Sequence, residues 1–307
     1  MVARRFYKRW SDYKRNKYLY ALLLPILVWY GIFAYGPLYG IQLAFKDFQI
    51  MQGIAGSPWV GLKHFHYLFT ASPDFLQILG NTITISFYHI VFGFPAPIVL
   101  ALLLNEIRHN GFKRVTQTIS YLPHFLSWVI LAGILTVMLS PSTGIVNEGL
   151  RLLGLDPIFF LGDPDYFRFT LVVSNIWKEI GWGTIIYLAA LSAIDPHLYE
   201  AAVMDGANKW RQVLHITLPQ LMPAITILLI LRMGNVLDAG FDQILNLYNP
   251  SVYSVADTID TYVYRAGLLQ MQFSLTTAVG LFKNVVALLL VLFTNFIVKK
   301  AGQEGLL

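Results

Sequence analysis

Long apolar runs separated by short polar stretches dominate the pattern of this 307-residue chain. Each run has about 20 residues or more, the length that a helix needs to cross a hydrocarbon layer about 30 Å thick. Because a membrane interior offers no water to backbone groups, such runs are expected to be α-helices. The pattern therefore predicts an all-α integral membrane protein with six spans, at 18–44, 78–104, 116–140, 168–193, 216–237 and 276–298.

Proline and glycine fall inside several of these runs, for example at Pro95, Gly183 and Pro223. Membrane helices tolerate them because neighbouring helices satisfy the freed backbone groups. The first run lacks an A-x-A-like cleavage site, so we expect a retained helix rather than a signal peptide. No linker or internal repeat divides the chain. We expect one membrane domain at 18–298, with a basic tail at 1–17 and a short tail at 299–307.

The charge distribution predicts the orientation of the spans. Only 13% of the residues are charged, against about 25% in an average soluble domain. Fourteen of the 22 Lys and Arg residues lie in the two tails, in the loop between spans two and three, and at 194–215 between spans four and five. Since such residues concentrate on the cytoplasmic side, both termini and the stretch 194–215, here called the elbow, are predicted to be cytoplasmic. The net charge of +5 is attributed to contact with anionic membrane lipid rather than nucleic acid.

The elbow is too polar to cross a membrane, yet its residues are typical of ordered helices. Asp195 followed by Pro196 is a favourable helix start. Gly206 can adopt the left-handed conformation that ends a helix, and Asn208 can cap a second one at 209–215. The sequence therefore predicts two short helices that meet at Gly206, an arrangement suited to a groove on another protein.

The elbow also resembles the EAA---G---------I-LP signature of the transmembrane permease subunits of ABC importers. All seven signature positions match at the family spacing. In that family the elbow is a coupling helix that docks into a cleft on the ATP-hydrolysing subunit, and the resemblance implies the type I ABC importer permease fold. Asp205 shares a helix face with two of the matched residues. The expected ATPase-coupling residues are Glu200, Ala201, Ala202, Asp205, Gly206, Ile216, Leu218 and Pro219.

Other stretches along nearly the whole chain, including QTISYLPHFLSWV and DTIDTYVYRAGL, are similar to one branch of this family. It is the polysaccharide type of carbohydrate importer, which includes alginate-importer subunits and LplB-like permeases. The resemblance implies import of oligosaccharides or polysaccharide fragments, alginate-like in the acidic case, across a bacterial cytoplasmic (inner) membrane. It also implies a second homologous permease subunit, two cytoplasmic ATP-binding subunits and an extracytoplasmic solute-binding protein as partners.

The chain contains no phosphate-binding G-x-x-x-x-G-K-[ST] motif. We therefore expect no cofactor in this chain, with ATP and Mg bound by the partner ATPase. H-E-x-x-H and G-x-S-x-G motifs and cysteine are also absent, so a non-catalytic subunit is expected. One alternative is an ATPase-independent channel or secondary transporter, whose elbow would have no partner. A multispanning membrane enzyme is less favoured, because no catalytic motif is present.

Ionisable residues inside spans are the candidates for lining a solute pathway, because they are costly in hydrocarbon and usually face a cavity or a partner. Lys178 and Glu179 are neighbours on a helix and point about 100° apart, so both cannot face one lumen equally. Interhelical pairing is the alternative role for each residue. Three cations against one anion within spans weakly favour an acidic solute. The pathway candidates, including two aromatic residues for sugar stacking, are Lys178, Glu179, Trp182, Tyr187, Arg232, Asn235, Asp238 and Lys283.

Overall fold

The computed structural model describes residues 16–300 and residue 302. Most of the predicted tail at 1–17 and most of the tail at 299–307 therefore lie outside the described residues. In the described part every regular element is a helix, and the one strand-like contact is an isolated bridge between Lys46 and Trp59. The prediction of an all-α chain is confirmed.

Fourteen helices can be followed through this part of the chain, several of them with π or 3₁₀ turns inside. In chain order they are α1 (Lys17–Phe45), α2 (Gly53–Gly56), α3 (Lys63–Thr70), α4 (Phe75–Glu106), α5 (Asn110–Phe125), α6 (Trp128–Met138), α7 (Ile145–Leu152), α8 (Pro164–Ser192), α9 (Pro196–Met204), α10 (Lys209–Gly234), α11 (Phe241–Leu247), α12 (Tyr253–Ala256), α13 (Ile259–Tyr262, continued by the π turn Val263–Leu269) and α14 (Phe273–Lys300). A 3₁₀ turn, Pro250–Val252, precedes α12.

Four helices of the described chain are long and apolar enough to cross a membrane, namely α1, α4, α10 and α14. They overlap the predicted spans one, two, five and six. The predicted fourth span overlaps α8, whose 29 residues are also long enough. Charged residues such as Arg168, Lys178 and Glu179 make α8 less apolar than the other four helices.

The predicted third span, 116–140, differs from a straight helix. Its two halves, α5 and α6, meet at an angle of 108°. Pro123, in the last turn of α5, has no N–H to donate. Ser127 then starts α6 as an N-cap, since its hydroxyl accepts a hydrogen bond from the Ile130 N–H at 3.4 Å. We call this junction the corner; counting the bent pair as one crossing gives five apolar crossings in the described chain.

Three clusters of buried apolar residues hold the helices together. One joins α4, α6, α8 and α11 around Phe167 and Ile244, and a second joins α3, α4, α13 and α14 around Phe75. The third joins α4, α8 and α10 through Ala101, Tyr187, Leu191 and Leu221. Inside a membrane these clusters stabilise the fold by close packing, because lipid tails are as apolar as the side chains themselves.

Helix α1 is the exception to this packing. Within the described chain its one buried residue is Ala44, near its C-terminal end, and its apolar window has no buried position. The end of α1 packs in the second cluster. Most of α1 therefore presents apolar side chains to its surroundings, in contrast to α8.

The predicted loop at 238–275 is also largely helical. Arg265 of the π turn after α13 makes two hydrogen bonds with Asp257, at 3.1 and 2.5 Å. These hydrogen bonds, more than the opposing effect of burial, raise the pKa of the Arg265 guanidinium above its usual value. The stretch GIVNEGLRLLG, between the third and fourth predicted spans, also contains a helix, since α7 spans Ile145–Leu152.

Candidate functional site

The first arm of the elbow is α9, which begins as the sequence predicts. The Asp195 carboxylate accepts a hydrogen bond from the backbone N–H of His197 at 3.0 Å. Pro196 occupies the first helical position, where its missing N–H leaves no partner unsatisfied. The cap and the proline together fix the point at which the chain leaves α8 and starts the new helix.

Helix α9 ends at Gly206, whose φ of 75° is in the left-handed region. The Ala207 N–H donates to the Ala202 carbonyl at 2.8 Å, and the Gly206 N–H donates to the Val203 carbonyl at 3.0 Å. This pair of bonds is the Schellman pattern, which satisfies the last carbonyls of a helix. A Cβ on Gly206 would have no atom within 4 Å in the described chain, so its backbone conformation rather than lack of space favours glycine.

The second arm differs from its prediction. Asn208 caps it, since its side-chain oxygen accepts a hydrogen bond from the Arg211 N–H at 2.9 Å. The prediction of a separate helix at 209–215 is wrong, however, because α10 continues from Lys209 to Gly234 without a break. Pro219 cannot donate to the carbonyl four residues earlier, and the wide π turn Val213–Thr217 accommodates this loss inside a continuous helix.

Two contacts tie the elbow to the helices that it adjoins, and a third lies within the elbow. The Tyr199 and Thr217 hydroxyls are 3.0 Å apart, which joins α9 to α10. Lys209 forms an ion pair with Glu106, at the end of α4, at 3.1 Å. The buried Gln212 side chain donates to the carbonyl of Ala207 at 3.0 Å.

The outer surface of the elbow carries exposed apolar side chains. Helix α9 buries no residue within the described chain. Met204 is 87% exposed and Trp210 is 69% exposed, and Val203 is exposed beside them. Apolar groups on an otherwise polar segment are typical of a contact surface for another protein.

The predicted coupling residues lie along this segment. Glu200 is exposed on α9, and its carboxylate is 3.2 Å from the His197 ring. The two arms differ in exposure because α10 packs against its neighbours from its second turn onwards. Exposed members of the set are Glu200, Ala201, Asp205, Gly206 and Pro219, and partly buried members are Ala202, Ile216 and Leu218.

A cavity of about 510 Å³ opens between α4, α8 and α10, and below it is called the cavity. Its volume is in the range of small-ligand sites in proteins. Six of the eight pathway candidates line it together, although three come from α8 and three from the end of α10 and the turn that follows it. These six are Glu179, Trp182, Tyr187, Arg232, Asn235 and Asp238.

The two ends of the cavity differ in character. At one end His89 of α4 approaches Gly240, since the His89 Cε1 atom would lie 3.8 Å from a Cβ at that glycine. Arg232, Asn235 and Asp238 lie at the same end, which is therefore polar. The other end is apolar and is lined by Pro97, Gly183, Ile186, Tyr187 and Leu228.

The middle of the cavity is bounded by Glu179 and Trp182, which both contact His124 at the end of α5. The His124 Nδ1 atom is 2.9 Å from Glu179 Oε2. The His124 and Trp182 rings are stacked, with centroids 4.5 Å apart and planes within 3° of parallel. His124 thus connects the wall of the cavity to the corner.

Lys178 points away from the cavity, towards the corner. It is 7% exposed, and its ammonium donates to the carbonyl of His124 at 2.9 Å and to that of Leu126 at 2.6 Å. The broken α5–α6 backbone leaves these carbonyls available. Lys178 and Glu179 therefore do not both line the cavity, although both contact His124.

Lys283 of α14 also lies outside the residues that line the cavity. Its ammonium is 2.5 Å from the Asp260 carboxylate on α13. Both side chains are largely buried, so this pair joins α13 to α14 as the structural alternative in the sequence had suggested.

Two histidines were missed in the sequence, one that lines the cavity and one that contacts its wall. His89 lies on the π turn His89–Gly93, inside a predicted span, and the rule that selects ionisable residues within spans applies to it as well. His124 occupies the third predicted span, but only the bend at the corner brings it to Glu179. No cluster of three metal-ligating side chains occurs among the described residues.

Comparison with known proteins gives consistent results. The sequence model for the family described as binding-protein-dependent transport system inner membrane component matches residues 93–303. The polygalacturonan/rhamnogalacturonan transport system permease protein YteP of Bacillus subtilis is 48% identical over 95% of this chain and 91% of its own length. Protein LplB of the same organism is 47% identical over 95% of this chain and 92% of its own.

The fold also matches solved structures. One chain of a bacterial alginate ABC transporter, crystallised in complex with an alginate pentasaccharide-bound periplasmic protein, aligns with a TM-score of 0.90 and 45% identity. The alignment covers 97% of this chain and 99% of the solved one. A second structure, of a bacterial ABC transporter involved in import of the acidic polysaccharide alginate, aligns with a TM-score of 0.89 and 46% identity, over 95% and 99% of the two chains.

Proposed function

The chain belongs to the family of binding-protein-dependent transport system inner membrane components, and from this premise we propose that it is a permease subunit of an ATP-driven importer for oligosaccharides or polysaccharide fragments. The observation that carries the proposal is the elbow. It is a capped, exposed two-armed segment whose apolar surface is unoccupied by the described chain and whose second arm is continuous with a cavity-lining helix.

The proposed solute is a fragment of an acidic polysaccharide. The relatives at 48% and 45% identity are named for polygalacturonan and for alginate respectively, both of which are polymers of uronic acids. Of the cations within the predicted spans, Arg232 lines the cavity and could meet an acidic solute there. The cavity offers stacking on Trp182 and hydrogen bonding at its polar end, the combination that sugars require.

We further propose six membrane crossings, made by α1, α4, the bent pair α5–α6, α8, α10 and α14. Both termini and the elbow would then be cytoplasmic, as the distribution of Lys and Arg predicts. The partners would be a second homologous permease subunit, two ATP-binding subunits that hold ATP and Mg, and an extracytoplasmic solute-binding protein. The complex would occupy a bacterial inner membrane.

In the proposed mechanism the ATPase dimer closes on ATP and carries the elbow with it. The elbow would transmit this motion through α10, and the helices would rock to open the cavity first to one side and then to the other. The solute-binding protein would deliver solute to the outward-open cavity. This chain would supply the pathway and the contact with the ATPase, and the ATPase would supply the chemistry.

The coupling role is tested with two matched glycines. Gly206 and Gly154 both have a φ of 75° and no atom within 4 Å of an added Cβ, so alanine strains the backbone equally at either site. In the co-purified importer, Gly206→Ala is expected to lower solute-stimulated ATP hydrolysis about tenfold, while Gly154→Ala leaves it within about twofold. The pair Glu200→Ala and Glu148→Ala provides the same comparison for an exposed glutamate.

If the complex and its solute-stimulated ATP hydrolysis survive both elbow substitutions, the coupling assignment is wrong. Transport by the chain alone, without an ATPase, would instead favour a channel or secondary transporter. The topology is testable directly because the chain contains no cysteine. A single cysteine at Asp205 should react with a membrane-impermeant maleimide only from the cytoplasmic side, and one at Leu153 only from outside.

A further inference from the structure

The polar end of the cavity contains two cation or donor groups whose partners are absent from the described chain. Arg232 lines the cavity and takes part in no side-chain hydrogen bond or ion pair among the described residues. A guanidinium at membrane depth is costly when unpaired, since it keeps five N–H donors and a permanent charge. Arg232 therefore indicates a place where a hydrogen-bond acceptor is supplied by a molecule other than this chain.

The carboxylates of the same cavity are already occupied. Glu179 is bound to His124 at 2.9 Å. Asp238 accepts a hydrogen bond from the Gly240 N–H at 3.3 Å, which closes the turn after α10. Neither acid forms an ion pair with Arg232 in the described chain, so the guanidinium remains available to a group from outside it.

His89 supplies the second group. It is 2% exposed, and its Nε2 atom has no hydrogen-bond partner in the described chain. It lines the cavity, and Arg232 and Asp238 are both close enough to interact electrostatically with its ring. The π turn His89–Gly93 adds a residue to the helical turn there, a distortion that occurs frequently at functional sites.

We propose that Arg232 and His89 form a subsite for one carboxylate of the solute. This inference rests on the proposed function and specifies which chemical group of the sugar is recognised and where. A carboxylate matches the planar fork of a guanidinium with two parallel hydrogen bonds. The same carboxylate would be an acceptor for the His89 ring, which lines the cavity and whose buried Nε2 atom has no partner in the described chain. Asn235, one helical turn from Arg232, presents an amide donor to the same region.

Other ligands explain this end of the cavity less well. A metal cation would be repelled by Arg232, and no cluster of three metal-ligating side chains occurs among the described residues. A neutral sugar hydroxyl could accept from Arg232, but it would leave the guanidinium charge uncompensated in a region of low dielectric constant. Only an anionic group satisfies both the charge and the donors.

The test is equilibrium binding to the complete importer in lipid nanodiscs, measured calorimetrically without the solute-binding protein. The two probes are trigalacturonate and its fully methyl-esterified form, which differ in the negative charge of the carboxyl groups. The wild type is expected to bind the acid about tenfold more tightly than the ester. Arg232→Gln should reduce this ratio to about one, and His89→Leu should reduce it about threefold or more.

Two conservative variants separate recognition from folding. Arg232→Lys keeps the charge but loses the fork, and His89→Gln places an amide donor near the position of Nε2. Both are expected to retain a reduced preference for the acid. Arg151→Gln and His66→Leu, at the exposed surface outside the cavity, are the matched controls and should leave the ratio unchanged.

The proposal is overturned if the wild type binds acid and ester equally or binds neither. It is also overturned if the ratio is unchanged in every Arg232 and His89 variant that assembles. Loss of affinity for both probes by the same factor would assign these residues to structure rather than to carboxylate recognition. Failure of the proposed function is seen separately, as absence of ATP hydrolysis stimulated by solute and its binding protein in the wild-type importer.

Discussion

The elbow and the centre of α8 are built in opposite ways. The elbow is shaped by residues within a few positions of each other, through the caps Asp195 and Asn208 and the turn at Gly206. The centre of α8 is held by residues more than 50 positions apart, as in the contacts of Lys178 and Glu179 with the end of α5. A segment that is held by contacts between near neighbours can move as a unit without unfolding. A segment that is held by residues distant in the chain cannot move without breaking those contacts. Substitutions should therefore separate coupling from stability.

The largest effect is expected at Gly181 of α8. A Cβ there would lie 2.1 Å from the backbone oxygen of Ser120 on α5, so the two helices must move apart to admit it. Gly181→Ala should destabilise the purified protein by about 3 kcal/mol or more, measured by denaturant unfolding in detergent micelles. Gly280→Ala, on α14 with no atom within 4 Å, is the control and should be neutral or stabilising. Equal stability of the two variants would show that α5 does not pack against α8 as described.

The second effect concerns the ammonium at the corner. Lys178→Met keeps the apolar stem but leaves the carbonyls of His124 and Leu126 without their donor, at a cost of about 2 kcal/mol. The control is Lys63, which belongs to a separate and exposed ion pair. Lys63→Met should lower stability by less than about 1 kcal/mol. Unchanged stability of Lys178→Met would mean that the corner does not depend on this donor.

A smaller effect is expected at the cap of the second arm. Asn208→Ala removes the acceptor for the Arg211 N–H and should cost about 1 kcal/mol, confined to the first turn of α10. Hydrogen exchange of residues 209–212 is the measurement, and Asn208→Asp, which keeps an acceptor, should show wild-type protection. Faster exchange throughout α8 in the alanine variant would contradict the independence of the two regions.

The smallest effect is expected at the contact between the two arms. Tyr199→Phe removes the hydroxyl that meets Thr217 and should lower stability by about 0.5 kcal/mol. Because this contact joins α9 to α10, solute-stimulated ATP hydrolysis should also fall, and by more than this small loss of stability explains. Tyr39→Phe on the exposed face of α1 is the control. A loss of stability without any change in ATP hydrolysis would remove this contact from the coupling path.

The same contrast explains what the sequence could predict. The cap at Asp195, the left-handed turn at Gly206 and the cap at Asn208 depend on neighbouring residues, so pattern rules were sufficient for them. The continuity of α10 was missed because the polar stretch up to 215 was assigned to the elbow and the apolar span was started at 216, just before Pro219. A π turn can absorb a proline within a helix, and no simple sequence pattern marks that turn.

The cavity was predicted only in part, because its walls come from helices distant in sequence. Arg232, Asn235 and Asp238 were candidates from the sequence, and the structure brings them to the same cavity as Glu179 of α8. The corner could not be anticipated, since it combines Pro123, the Ser127 cap and the Lys178 ammonium, which is distant in the chain. His124 became a cavity contact only through that bend.

The unbroken course of α10 has a mechanical consequence. Lys209 at the elbow and Arg232 at the cavity lie on one rod, about 35 Å apart at about 1.5 Å per residue. A tilt of roughly 10° about the middle of this rod would move its two ends by about 3 Å in opposite directions. The ion pair of Lys209 with Glu106 connects one end of this lever to α4, which also contributes His89 to the cavity. If the proposed coupling role and subsite are correct, a force applied at the elbow would reach Arg232 through the backbone of α10 itself.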